Sequence, residues 1–240
     1  MRAGRAIWLT FTTAGFTFAM FFLFLCVIAM SRNEWTELVV SYQAFKPQYT
    51  YDSRSRGLWV ECSTAVSGSF VGFCTSVFPW GDRSGYNKNI QPLLIMRMSA
   101  ALIQLVASAS TLLTILIIGA ILADISRRPY KWTDRSGQYS VLMAGTLIWI
   151  FATGYFISIL LHYEALNAEN TELDTKFISA RSAWSVDLRN TTYYQAGSMM
   201  LLVYAANALL YLSGASFLLT ASLYKPPIID RPPVKITQVA

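Results

Sequence analysis

One histidine and three cysteines are all that 240 residues supply for binding soft metals. His162 alone builds no histidine-based metal cluster, and no zinc set can be assembled around it. No H-E-x-x-H, G-x-S-x-G or phosphate-cradling P-loop occurs, so the chain reads as a non-enzyme without a cofactor. Charge is scarce too. Only 13% of residues are charged, against about 25% in an ordinary soluble domain. Four long stretches contain no aspartate or glutamate at all.

Those stretches are where the 54% hydrophobic content concentrates. They are residues 7–30, 93–123, 139–161 and 196–223, and Arg97 is the one Lys or Arg within them. Each reaches the roughly 20 apolar residues that a helix needs to cross the hydrocarbon core. Lipid offers no hydrogen bonds, so a spanning segment must satisfy its own backbone, and a helix does so. The expectation is four membrane helices. A basic start at Arg2 and Arg5 resembles a cleaved signal, with Ala29-Met30-Ser31 as a weak small-x-small site. The apolar run is longer than the roughly 7–15 residues of a signal core, so the reading is a retained signal anchor.

Basic residues set the expected orientation. Segments 1–6, 124–138 and 224–240 hold nine Lys and Arg in 38 residues and sum to +6. Segments 31–92 and 162–195 hold nine in 96 residues and sum to −1. The positive-inside rule puts the first set in the cytoplasm, with both termini, and the two long loops outside. The net +6 is then a topology signal rather than a nucleic-acid one. Arg127, Arg128, Lys131 and Arg135 read as topogenic, with contact to anionic lipid head groups second.

The first outer loop, 31–92, is rich in aromatic and β-branched residues between Gly, Ser, Pro and Asp clusters. WTELVVSY, GLWVECST and VGFCTSVF are the expected strands, and TTYYQAG in the second loop is a further candidate. Ser67-Gly68-Ser69 reads as a turn. Cys62 and Cys74 both fall in this loop, where an oxidising compartment favours a bridge between them. Cys26 reads as a small lipid- or helix-facing residue. The expected architecture is a four-helix membrane bundle with a small extracellular antiparallel β-sheet.

Trp35 after the first helix, then Gly57-Leu58-Trp59, then Cys62 and Cys74, with Arg97 at the outer start of the second helix, resembles the claudin superfamily. That group takes in claudins, peripheral myelin and epithelial membrane proteins, and calcium-channel gamma subunits with their glutamate-receptor relatives. The resemblance implies that this motif builds the extracellular sheet. Gly57 reads as a site of special backbone conformation or close approach. Leu58 and Trp59, on a strand, would point to opposite faces, one toward the helix tops. Arg97 would snorkel outward to loop carbonyls.

Small residues such as Ala107-Ser108-Ala109-Ser110, Gly145, Gly154 and Ser213-Gly214-Ala215-Ser216 read as close helix packing. Phe70, Val71, Phe78 and Trp80 are candidate contact residues on the loop tips, with the sheet's own core as the competing reading. Asn190-Thr191-Thr192 is a glycosylation sequon. The tail ends in alanine, where many claudins carry a larger apolar residue for PDZ domains, and no cytoplasmic cysteine is present for palmitoylation.

Two functions compete. One is a claudin-like protein of cell–cell contacts, acting by adhesion or as a paracellular barrier, with itself or other claudin-like proteins as partners in cis and trans. The segment between Cys62 and Cys74 carries no charge, so a barrier is expected before a selective pore. The other is an auxiliary gamma-type subunit that binds the pore subunit of a channel or receptor, which the long first loop favours. A myelin-type or trafficking tetraspan is a third reading.

Overall fold

Uncharged runs of this length form helices because only a helix closes every backbone hydrogen bond within its own segment. The computed structural model describes residues 2–40, 53–64, 73–76, 94–127, 135–170 and 192–223. Four helices carry the fold: α1 (Arg2–Ser31), α2 (Leu94–Arg127), α3 (Arg135–Asn170) and α4 (Ser198–Leu223). Within them, Ile7–Ser31, Met96–Ala123, Gln138–Ala168 and Ser198–Leu223 are long and apolar enough to cross a membrane.

α1 lies along α4, α4 along α3, and α3 along α2, while α1 and α2 meet far less than these neighbours do. Lipid is as apolar as leucine, so the helices are held by close packing and hydrogen bonds rather than by escape from water. Phe16 meets Phe217 edge to face at 5.4 Å, and Phe22 meets Tyr155 likewise at 6.3 Å. Ser213 Oγ donates to the Gly15 carbonyl at 2.8 Å, joining α4 to α1. A Cβ on Gly145 would stand 3.0 Å from the Gly214 carbonyl, so α3 and α4 cross at paired glycines. The small residues at these two positions do serve close packing. Cys26 is buried, its Sγ 4.0 Å from the Tyr155 hydroxyl, and faces helices rather than lipid.

Five strands form one antiparallel sheet: β1 (Thr36–Val40), β2 (Ser53–Arg56), β3 (Val60–Thr64), β4 (Phe73–Ser76) and β5 (Thr192–Ala196). Their spatial order is β4-β3-β2-β1-β5. The second loop thus contributes β5 as an edge strand beside β1, with Leu38 opposite Tyr194.

Three sequence expectations change. Residues 162–170 are helix, not loop, because α3 runs on to Asn170. Its outer end is built of helix-compatible residues, with Ala165 and Leu166 buried beside Met96 and Tyr194. The apolar limit at 161 marked a change of composition, and a helix that satisfies its own backbone need not stop there. β2, with sequence SRSR, carries no β-branched or aromatic residue and gave no strand signal. Gly57-Leu58-Trp59 is not in a strand: β2 ends at Arg56, β3 begins at Val60, and Gly57 N–H donates to the Val60 carbonyl at 2.8 Å. Leu58 and Trp59 are the tip of a two-residue hairpin.

Candidate functional site

The motif residues come together where the sheet meets the helix ends. β1 leaves α1 after four residues, so Trp35 is held close to the helix it follows. It is fully buried, and its indole Nε1–H donates to the Ala29 carbonyl at 2.7 Å. Its backbone N–H donates to the Arg56 carbonyl at 3.1 Å, and its own carbonyl accepts from Gly197 N–H at 2.8 Å. Trp35 therefore ties α1 to β2 and to the start of α4. A buried indole needs such a partner, since an unpaired N–H costs free energy there.

The hairpin tip divides its two side chains. Leu58 is completely buried and its carbonyl accepts from Gln104 Nε2 of α2 at 2.7 Å, whereas Trp59 is 50% exposed. The opposite orientations expected of the pair hold, but a turn produces them rather than strand alternation. Gly57 is a close approach: a Cβ there would lie 2.8 Å from Asn33 Cα and 2.9 Å from the Arg32 carbonyl. Gly197 is tighter still, because a Cβ would overlap the Glu34 carbonyl. Glu34 O in turn accepts from Met199 N–H at 3.1 Å and occupies a free donor in the first turn of α4.

Residues outside the predicted motif complete the seat. Arg56 is buried, with its guanidinium carbon 4.7 Å from the centre of the Tyr194 ring, a cation–π contact that joins β2 to β5. His162 is buried edge-on to Trp35 at 5.9 Å, and its Nδ1 lies 2.9 Å from Ser99 Oγ, which links α3 to α2. Asn170, the last residue of α3, holds the outer edge of β5 at Tyr194. Sequence reading missed Gln104, Ser99, His162 and Asn170 as a set. The available signal was polar residues inside or at the end of apolar helices, which need a stated partner.

Arg97 lies in the first turn of α2, half-buried, beside the buried Met96. Cys62 and Cys74 stand directly opposite one another in the register of β3 and β4, and Asn33 Nδ2 donates to Cys62 Sγ at 3.2 Å. The candidate contact residues Phe70, Val71, Phe78 and Trp80, the turn Ser67-Gly68-Ser69 and the sequon residue Asn190 lie outside the described residues. Among the described residues no group of three His, Cys, Asp or Glu is placed to hold a metal ion. The arrangement is mechanical: a small sheet clamped by indole, amide and carbonyl groups onto one end of a bundle.

A family model described as PMP-22/EMP/MP20/Claudin tight junction matches residues 19–219. The chain belongs to this family. It is a claudin-like multi-pass membrane protein, in which four apolar helices carry the antiparallel sheet. A search of curated proteins returns no match. In this claudin-like chain, Trp35, Gly57 and Leu58 all sit within the clamp beneath the sheet.

Proposed function

We propose that this claudin-like chain acts at contacts between cells, by adhesion or as a paracellular barrier, through its sheet. The observation that carries the reading is the seating of that sheet. Trp35, Leu58 and Asn170 tie it to three different helices, so it is presented as one rigid platform. Preorganisation of this kind reduces the ordering cost when two surfaces meet. In this reading 1–6, 124–138 and 224–240 are cytoplasmic, the sheet is outside, and the protein resides in the plasma membrane. Basic density supports that orientation, as does the sheet's position at the end of the bundle away from the α2–α3 connection. Cys62 and Cys74 form a disulfide there. Their facing register supports it, because neighbouring Cβ atoms across a strand pair lie near bridging distance.

The length of the 31–92 segment supports a second reading, an auxiliary gamma-type subunit of a channel or receptor. Mixed populations of non-adherent cells separate the two. The contact reading expects the protein to concentrate where two expressing cells touch, and not where only one expresses it. Uniform surface distribution with co-purification of a pore subunit overturns that reading in favour of the second.

A further inference from the structure

The two sulfurs of the facing cysteine pair stand in different surroundings. Asn33 lies in the short link between α1 and β1, and its Nδ2 donates to Cys62 Sγ of β3 at 3.2 Å. The hairpin fixes that amide in place: a Cβ on Gly57 would stand 2.8 Å from both Asn33 Cα and Asn33 Oδ1. Its orientation follows from the bond. Turned over, Oδ1 would face the sulfur lone pairs with no proton between them. An N–H donor holds a thiolate more strongly than a neutral sulfur, because a charged acceptor makes the stronger hydrogen bond. Cys62 therefore has a stabiliser waiting for negative charge.

Position in the sheet separates the pair further. Cys62 is half-buried in β3, which has β2 on one side and β4 on the other. Cys74 is in β4, which ends the strand order and, among the described residues, has β3 as its one strand neighbour. An edge strand is the part of a sheet that other molecules reach first. In thiol–disulfide exchange a thiolate attacks one sulfur and expels the other. Access favours attack at one sulfur, and stabilisation of the departing thiolate favours expulsion of the other. Here both criteria select the same direction.

We propose that Cys74 is a reversible modification site for low-molecular-weight thiols of the glutathione class, with Cys62 as the leaving sulfur and Asn33 as the residue that sets the direction. The proposal rests on the Cys62–Cys74 bridge of the preceding reading. The thiol gives its proton to water, and its thiolate attacks Cys74 Sγ. A bond forms between those sulfurs, the Cys62–Cys74 bond breaks, and its electron pair leaves on Cys62 Sγ, which the Asn33 amide holds. One disulfide is exchanged for another, so no oxidant is consumed. The reverse attack, by the Cys62 thiolate on Cys74 Sγ, closes the bridge and expels the thiol. The opened form leaves β3 paired with β2 and frees the edge strand β4 from its covalent tie.

The test uses the full chain in mild detergent. Alkylation before any thiol is added should leave Cys62 and Cys74 unlabelled, and labelling of both overturns the bridge itself. Glutathione is then added at graded concentration, exchange is stopped early with acid, free thiols are alkylated, and peptide masses locate each adduct. Adducts on Cys74 should exceed those on Cys62 about tenfold, the scale of a leaving-group preference in thiol exchange. Asn33→Leu deletes the donor and should bring that ratio toward parity. A second measurement does not depend on this variant. The lone Cys62 thiol in Cys74→Ser should reach half-maximal alkylation at a lower pH than the lone Cys74 thiol in Cys62→Ser. An intact bridge that takes no glutathione, or takes it equally on both sulfurs or chiefly on Cys62, overturns the proposal while the bridge stands. So does an unchanged ratio in folded Asn33→Leu, or the opposite order of the two pH profiles.

Discussion

The side-chain amide of Asn170 grips the backbone of Tyr194 from both sides. Nδ2 donates to the Tyr194 carbonyl at 2.7 Å, and Oδ1 accepts from the Tyr194 N–H at 2.9 Å. One residue at the end of α3 thus does for β5 what a sixth strand would do, pairing an edge that would otherwise need water or another chain. Asn170→Ala removes both bonds. The expected cost is about 1–3 kcal/mol, since two partly buried backbone groups lose their partner. Hydrogen exchange at Tyr194 should accelerate while the centre of α4 stays protected. Unchanged exchange across 192–196 would show that the amide contributes nothing to that edge.

The register of β3 and β4 sets Cys62 directly against Cys74. A bridge here closes a loop of about a dozen residues and should stabilise by about 3 kcal/mol in the chain-entropy model. Cys62→Ser, Cys74→Ser and the double variant should then lose stability to the same extent, because each removes the same bond. On non-reducing gels all three should shift to the mobility of the reduced wild type. Additive losses, or a wild type whose mobility ignores reductant, would disprove the bridge.

What was legible in the sequence follows from which interactions leave a composition signal. Four apolar runs announce four helices because the bilayer imposes length and apolarity on each segment separately. β1 and β5 are legible through Leu38, Val39, Val40, Tyr193 and Tyr194, side chains with strand preference. β2 is not. Ser53-Arg54-Ser55-Arg56 becomes a strand because the Gly57–Val60 turn folds it onto β3, a non-local cause. Arg56 illustrates the same limit at the site. Its sequence neighbourhood is polar, yet it is buried against Tyr194, a residue brought alongside by β1 pairing with β5. The end of α3 escaped for the opposite reason: its residues turn polar while its backbone remains helical through Asn170.

Leu58 and Trp59 are adjacent and apolar, yet their burial predicts opposite responses. Leu58 is fully enclosed, and Leu58→Ala should cost about 2–5 kcal/mol through lost contacts and an incompletely closed cavity. Trp59 is half exposed, so Trp59→Ala should cost about 1 kcal/mol or less, closer to a surface change than to a core one. Thermal unfolding in mild detergent, read alongside delivery to the cell surface, measures both. If Trp59→Ala proves the more damaging, the exposed ring is bound to something, and the hairpin tip is a contact surface rather than a seat alone.

Gly57 and Gly119 separate close approach from the general cost of altering a glycine. At Gly57 an added Cβ would meet Asn33 Cα at 2.8 Å and the Arg32 carbonyl at 2.9 Å, while at Gly119 nothing lies within 4 Å. Those two obstacles at Gly57 are backbone atoms, which cannot swing aside as the third obstacle, the side-chain oxygen Asn33 Oδ1 at 2.8 Å, could. Gly57→Ala must therefore push the hairpin away from the segment that leads into β1. That shift would strain the bond from Trp35 N–H to the Arg56 carbonyl. A penalty of about 1–3 kcal/mol is expected, the range for overpacking a tight site. Gly119→Ala, inside α2, should be neutral or stabilising by up to about 1 kcal/mol, because alanine is the better helix former. Paired unfolding curves for the two variants decide the matter. Equal effects would mean that Gly57 is retained for some reason other than the approach of Asn33 and Arg32.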